Sequence, residues 1–255
     1  MLANYHTHTA RCHHATGTER EYIESAIRSG LRILGFADHS PQLFEDGFRS
    51  SIRMLPKEAE NYVTTLRRLA EEYKDDITIH VGFEAEYFPS IFPALRQFSR
   101  DLGIDYLILG QHCLHEEQQN LWVARASIDP GLLPVYVDQL LEGLSTGAFT
   151  YLAHPDVFRF SGEDAVYDRE MRRLLEGVRA LGLPVEYNLL GIRENRPYPT
   201  PAFWDLVAEI GCDVILGRDA HAPAMMEEKD VVARAKQELA ARGITPIGTV
   251  PFRKI

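Results

Sequence analysis

Short apolar runs and longer amphipathic runs alternate along this chain. Leu31–Ala37, Ile77–Phe83, Tyr106–Gly110, Tyr151–Ala153, Leu183–Tyr187 and Cys212–Leu216 are brief and mostly apolar. A strand covered on both faces, as in a parallel sheet, has this pattern. Between them lie segments with helical period. The first has Thr18 and Glu21 at capping-box spacing, runs to about Ser29 and is stopped by Gly30. Pro56 opens the next, to about Tyr73; others cover about Ile91–Arg100, Leu132–Ser145, Asp168–Leu181, Ala202–Ile210 and Asp230–Arg242. The opening Leu2-Ala-Asn-Tyr reads as a strand ending in His6-Thr7-His8. The tail Ile244–Val250 is expected to add one more short strand. Gln42–Leu55 has no clear period and is long enough to be a lid.

About seven alternations of strand and helix predict an α/β protein with a parallel sheet, closed or nearly closed into a barrel. A doubly wound open sheet is the structural alternative. No low-complexity segment or strong linker interrupts the chain, so residues 1–255 are read as a single domain.

Composition narrows the function. With 255 residues, 45% hydrophobic, the chain has enough apolar content for a full core. No apolar stretch reaches the roughly 18 residues needed to cross a bilayer, and nothing resembling a signal peptide precedes the first motif. Cys12, Cys113 and Cys212 have no zinc-ribbon spacing, so reduced thiols and a cytoplasmic location are expected. A net charge of −10 argues against a nucleic-acid backbone as the main partner. It leaves room for an anionic small substrate, because bound metal ions invert a local potential.

The chemistry lies at the strand ends. In a parallel barrel these surround one mouth. Here they read His6-x-His8, Asp38-His39, Glu84, His112, His154, Arg193 and Asp219-x-His221. Two histidines at i and i+2 of a strand leave on one face and form a chelate. Nearly every strand end adds a metal-ligand residue, too many for one ion, since a zinc site takes about four or five. A cluster of two or three ions sharing carboxylates is the natural solution, and such clusters clamp the oxygens of a phosphoryl displacement. Spacing alone leaves His13 or His14, and Glu84 or Glu86, as alternatives.

These residues also carry a resemblance. His6-Thr-His8, Cys12-His-His14-Ala-Thr-Gly17 and Phe36-Ala-Asp-His39-Ser-Pro41 resemble the opening of the polymerase-and-histidinol-phosphatase (PHP) metallophosphoesterases, closest to the histidinol-phosphate phosphatases. Gly82-Phe-Glu84-Ala-Glu-Tyr87, Leu152-Ala-His154-Pro-Asp156, Glu186-Tyr-Asn188 and Asp219-Ala-His221 continue it in order. The resemblance implies a distorted (β/α)7 TIM-like barrel and two or three divalent transition-metal ions: zinc, iron or manganese. It assigns His6, His8, Glu84 and Asp219 to one ion. His112 and His154 go to a second, with Glu84 bridging, and His14, His39 and His221 to a third. It selects His14 over His13 and Glu84 over Glu86. Asp38 would orient a ligating histidine; Cys12 and Cys113 would be packing residues.

The implied activity is hydrolysis of L-histidinol phosphate to histidinol and phosphate in histidine biosynthesis, with a metal-bridging hydroxide as nucleophile. Asp219, His221 and Arg193 would serve catalysis. By position, Arg193 and Arg159, which follow strand ends, and Arg53, on the lid-like loop, are the candidates to hold the substrate. The alternatives are another phosphomonoester, such as phosphotyrosine or a nucleotide, or a metal-binding module without catalysis.

Overall fold

The computed structural model describes residues 1–255. Seven strands form one parallel sheet in chain order: β1 (Ala3–Asn4), β2 (Ile33–His39), β3 (Thr78–Ala85), β4 (Tyr106–Leu109), β5 (Phe149–Leu152), β6 (Val185–Asn188) and β7 (Val214–Gly217). Helices connect them: α1 (Glu19–Ser29), α2 (Pro56–Glu72), α3 (Phe92–Asp101), α4 (Leu132–Ser145) and α5 (Asp164–Ala180). Then come the short α6 (Leu189–Arg193), α7 (Pro201–Ile210) and, after β7, α8 (Lys229–Ala240). Local signals act as expected. Thr18 and Glu21 form a complete capping box on α1, and Gly30 ends it at φ 86°. No helix is long and apolar enough to cross a membrane.

A doubly wound sheet reverses its strand order; this one does not. The sheet instead curls into a distorted (β/α)7 barrel. Its seam is closed beyond the ends of β1 and β7. Thr7 bridges Ala220, and the His8 amide donates to the Ala220 carbonyl at 2.9 Å. The Asn4 side-chain oxygen accepts the Arg218 amide at 2.8 Å. On the other side the Thr7 carbonyl accepts the Ala37 amide at 2.8 Å. His6 and His8 therefore flank a residue held from both neighbouring strands, although β1 itself stops at Asn4.

The barrel interior is apolar below and polar above. Tyr106 lies across Gly35 and Gly82, where an added Cβ would come within 2.2 Å and 2.5 Å of the tyrosine. Its hydroxyl donates to the Tyr5 carbonyl at 2.6 Å. The C-terminal tail seals the floor: Phe252 stacks on Tyr106 at 4.6 Å and meets Tyr5 edge-on at 5.5 Å. This corrects the expected last strand. Ile247 makes one bridge to Ile215, and the rest of the tail serves as a plug. Aromatic filling excludes water from the lower half, so polar side chains gather at the upper mouth.

Two other expectations change. α6 was not foreseen, because Leu189-Leu190 after a strand reads as more apolar strand or loop. Asn188 caps it by accepting the Gly191 amide at 3.0 Å. The segment 42–55 is not a free lid. Gln42, Arg53 and Met54 are buried, and Ser50 donates to Glu117 at 2.6 Å.

Gly82→Ala should force a methyl group against Tyr106 and cost about 1–3 kcal/mol. The urea midpoint should fall accordingly; an unchanged midpoint would mean the lumen has slack.

Candidate metal centre

The strand ends bring nine side chains to one place. Glu84, at the end of β3 and 1% exposed, stands at the middle. Its Oε2 faces His6 Nε2 at 3.6 Å, His8 Nε2 at 3.6 Å and His39 Nδ1 at 2.9 Å. Its Oε1 faces His154 Nε2 at 2.7 Å and His112 Nε2 at 3.6 Å. Asp219 completes the group, with Oδ1 at 3.0 Å from His8 Nε2 and 3.5 Å from His6 Nε2. Across the mouth, His221 stacks on His8 at 4.1 Å and on His14 at 4.8 Å, and His14 lies 5.4 Å from His39.

Backbone geometry aims several of these groups. His154 and Asp219 adopt positive φ, 27° and 49°, which costs energy in a non-glycine residue and is common at functional sites. Gly110 is required beside Glu84: a Cβ there would lie 1.9 Å from Oε1.

A surrounding layer of acceptors fixes the imidazole tautomers. His6 Nδ1 donates to Glu186 at 2.8 Å and His112 Nδ1 to Glu86 at 2.9 Å. His14 Nδ1 donates to the Cys12 carbonyl at 2.6 Å and His221 Nδ1 to the Asp219 carbonyl at 2.9 Å. Once its second proton is released, each of these rings turns an Nε2 lone pair inward, the arrangement that metal-bound histidines require. Asp38 sits 3.5 Å from His8 Nδ1, as a positioning group would.

The inward atoms fit cations. His6 Nε2, His8 Nε2, His39 Nδ1, Glu84 Oε2 and His221 Nε2 are buried without a hydrogen-bond partner. Each such atom costs about 1–3 kcal/mol if nothing satisfies it. They approach one another closely yet are misaligned for hydrogen bonding, as donors aimed at a common ion would be. Three mutually close sets are His6, His8 and Asp219; His8, His39 and Glu84; and His14, His39 and His221. His154 groups with His6 and Glu84, while His112 joins through Glu84 alone.

Electrostatics points the same way. Burial disfavours a charged His6 or His8, yet Glu186, Asp219, Glu84 and Asp38 outweigh it and raise both pKa values well above normal. Burial likewise opposes ionisation of Glu84 and Asp219, but the histidines hold both well below the carboxylate range. Burial and the His8 charge push His221 down to about 3. The pocket is a buried negative centre that recruits positive charge, protons or metal ions alike.

The expected alternatives separate here. His13 takes a left-handed φ of 66°, and its Nε2 turns to the Arg53 carbonyl at 3.2 Å. His14 points at the cluster instead. Glu86 is ion-paired with Arg53 at 2.6 Å and holds His112, leaving Glu84 inside. Cys12, expected to be packing only, lies in a close set with His8 and His221.

The arginines are distributed differently from expectation. A cavity of about 480 Å³ opens over the cluster, lined in part by Trp122, Arg159, Glu194, Arg196 and Tyr198. Arg159 lines it, and its side chain has no partner. Arg53 does not: it is 1% exposed and held by Glu86 and by Glu117 at 2.8 Å. Arg193 does not line it either. It projects from α6 to Glu228 at 2.9 Å. Arg196, three residues on and unremarked in the sequence, takes that place, bonded to Glu194 at 2.7 Å and to the Tyr198 hydroxyl at 2.9 Å. Glu186 was also missed as a positioning group; its place two residues before Asn188, at a strand end, was the available signal.

Comparisons with known proteins agree with this geometry. The family described as PHP domain matches residues 4–189. A Deinococcus radiodurans protein named "Probable histidinol-phosphatase" is 29% identical over 233 residues, 87% of each chain. A Schizosaccharomyces pombe protein of the same name is 26% identical, covering 88% of this chain and 81% of that one. The crystal structure of histidinol phosphate phosphatase from Lactococcus lactis, complexed with zinc, L-histidinol and phosphate, superposes with a TM-score of 0.72. That match covers 98% of both chains at 18% identity and bears on the fold.

Arg53→Ala should leave Glu86 and Glu117 buried without a counter-charge and cost about 3–5 kcal/mol of stability. Chemical denaturation should show this loss. A variant of wild-type stability that merely binds substrate poorly would return Arg53 to substrate binding.

Proposed function

The chain belongs to the PHP family, and on that premise we propose that it is a metal-dependent phosphomonoesterase acting on L-histidinol phosphate. The observation that carries the reading is Glu84, a buried carboxylate with histidines on each of its two oxygens at the barrel mouth. Divalent cations held by these sets, with Glu84 shared between two of them, would satisfy the inward atoms. His6, His8, Glu84 and Asp219 would hold one divalent ion. His112 and His154, with Glu84, would hold a second, and His14, His39 and His221 a third. When bound, such ions lower the pKa of water toward neutrality and offset phosphoryl charge.

The chain's own groups supply the rest. Arg159, free of any ion pair, and Arg196 stand on the cavity wall where a phosphoryl oxygen would meet a guanidinium. Glu194 places a carboxylate on the same wall, suited to a cationic amine. Trp122 and Tyr198 offer aromatic faces to an imidazole ring. Phosphate, amine and imidazole are the three recognisable parts of histidinol phosphate. Names of the two curated relatives support the same substrate. Tyr198 also limits water at the wall, since it is 5% exposed.

Metal uptake should depend on pH. His6, His8, His14 and His154 all have raised pKa values, the first two and His154 against opposing burial, and His14 chiefly through Cys12. Protonated imidazoles must release protons to bind a metal, so affinity should fall as pH falls through neutrality. Purified protein should carry at least two transition-metal equivalents per chain at pH 8, fewer at pH 6, and fewer in His154→Ala. A metal-free, fully active protein would remove the proposal.

Steady-state assays should rank histidinol phosphate well above phosphotyrosine and nucleoside monophosphates. Arg159→Ala should lower kcat/KM by about 10–100-fold, the loss of one charge-assisted contact, with metal content unchanged. Equal rates on all monoesters would keep the phosphatase and discard the biosynthetic substrate.

A further inference from the structure

A second cavity, of about 290 Å³, lies between the end of α1, the beginning of the chain and α8. It shares no lining residue with the cavity over the metal-ligand cluster. Its polar lining is almost entirely cationic: Arg218, Lys229 and Lys236, with Ser29 beside them. This is unusual in a chain of net charge −10.

Arg218 is the informative residue. It is 5% exposed, and Nη1 donates to the Met225 carbonyl at 2.6 Å. Its Nε is buried without a partner, and no carboxylate lies within ion-pair distance of the guanidinium. The acids next in sequence are engaged elsewhere: Glu227 pairs with Arg28 at 2.8 Å and Glu228 with Arg193 at 2.9 Å. Lys229 and Lys236 are exposed and form no ion pair, so their charges remain available to the cavity. Helix α8 begins at Lys229 with no side-chain cap, so its first amides add positive potential, which Asp230 in the same turn partly offsets. A buried guanidinium without an ion-pair partner is costly; Glu228 acts on it only from a distance, and a bound anion would supply the missing contact.

We propose that this cavity binds a small phosphate-type dianion, with Arg218 on its floor and Lys229 and Lys236 at its rim. Leu31 and Val232 complete the wall with apolar surface, which leaves space for a short organic substituent on the anion. The site is independent of the phosphatase reading, because none of its residues belongs to the cluster. It adjoins the metal centre in sequence only through Arg218, which precedes Asp219.

Calorimetric titration of the metal-loaded protein with sulfate, inorganic phosphate and propylphosphonate tests the site, with chloride at matched ionic strength as reference. Wild type should show two binding events for each dianion beyond the chloride response, one at the metal centre and one at this cavity. Tighter binding of propylphosphonate would identify a phosphorylated small molecule as the ligand; equal binding would identify the free oxyanion. The exposed pair Lys229→Ala/Lys236→Ala should weaken sulfate binding about tenfold or more, the scale of a lost charge-assisted contact. Its phosphatase kcat/KM should be unchanged. Arg218→Met should abolish the event at this cavity and leave the one at the metal centre. No second dianion event beyond chloride, or wild-type affinity in the double lysine variant, would overturn the proposal.

Discussion

One carboxylate shared between two sides of a histidine ring governs this structure. Glu84 must be buried, ionised and accessible from both oxygens at once. Burial alone would neutralise it, and the surrounding imidazoles reverse that preference. The fold is arranged to permit this. Parallel register sets His39 beside Glu84 on neighbouring strands. Gly110 leaves the space that Oε1 occupies. The seam between β1 and β7 is closed by Thr7 and Ala220, which places His6, His8, Asp219 and His221 on the remaining side. A regular eight-stranded closure would have no need of that stitch; here it positions four of the nine candidate ligands.

Around the cluster stands a second tier of polar groups whose role is orientation. Glu186, Glu86 and two backbone carbonyls each take one imidazole proton. Gly217 is the counterpart of Gly110, since a Cβ there would lie 2.1 Å from Glu186. Glu86 extends the tier outward through Arg53 to Glu117, so segment 42–55 is fastened to the same network that aims His112. Stability and metal geometry are coupled through these contacts. A loop that looked like a mobile cover is instead one of the supports.

The barrel and the inner cluster were legible because they depend on periodicity and order. Apolar runs of strand length, each ending in a ligand type, can be counted from the chain, and parallel topology makes their ends converge. What failed depended on side-chain direction outside regular elements. Arg193 follows a strand closely, but the five-residue α6 turns it toward Glu228 and delivers Arg196 to the cavity. Arg53 looked free because its partners, Glu86 and Glu117, lie 33 and 64 positions away in the chain. His13 and His14 are neighbours in sequence, and a single left-handed backbone angle decides which one faces inward. No propensity rule distinguishes those outcomes in advance.

The central claim is that Glu84 joins separate cations, and its neutral isostere tests it most directly. Elemental analysis of Glu84→Gln beside the wild-type protein, purified identically, counts the bound ions. The account predicts that the variant folds and loses more than one ion per chain, because the side chain loses its charge and one of its two oxygens becomes an NH2 group that would not hold a cation. Retention of the full wild-type metal content would contradict it.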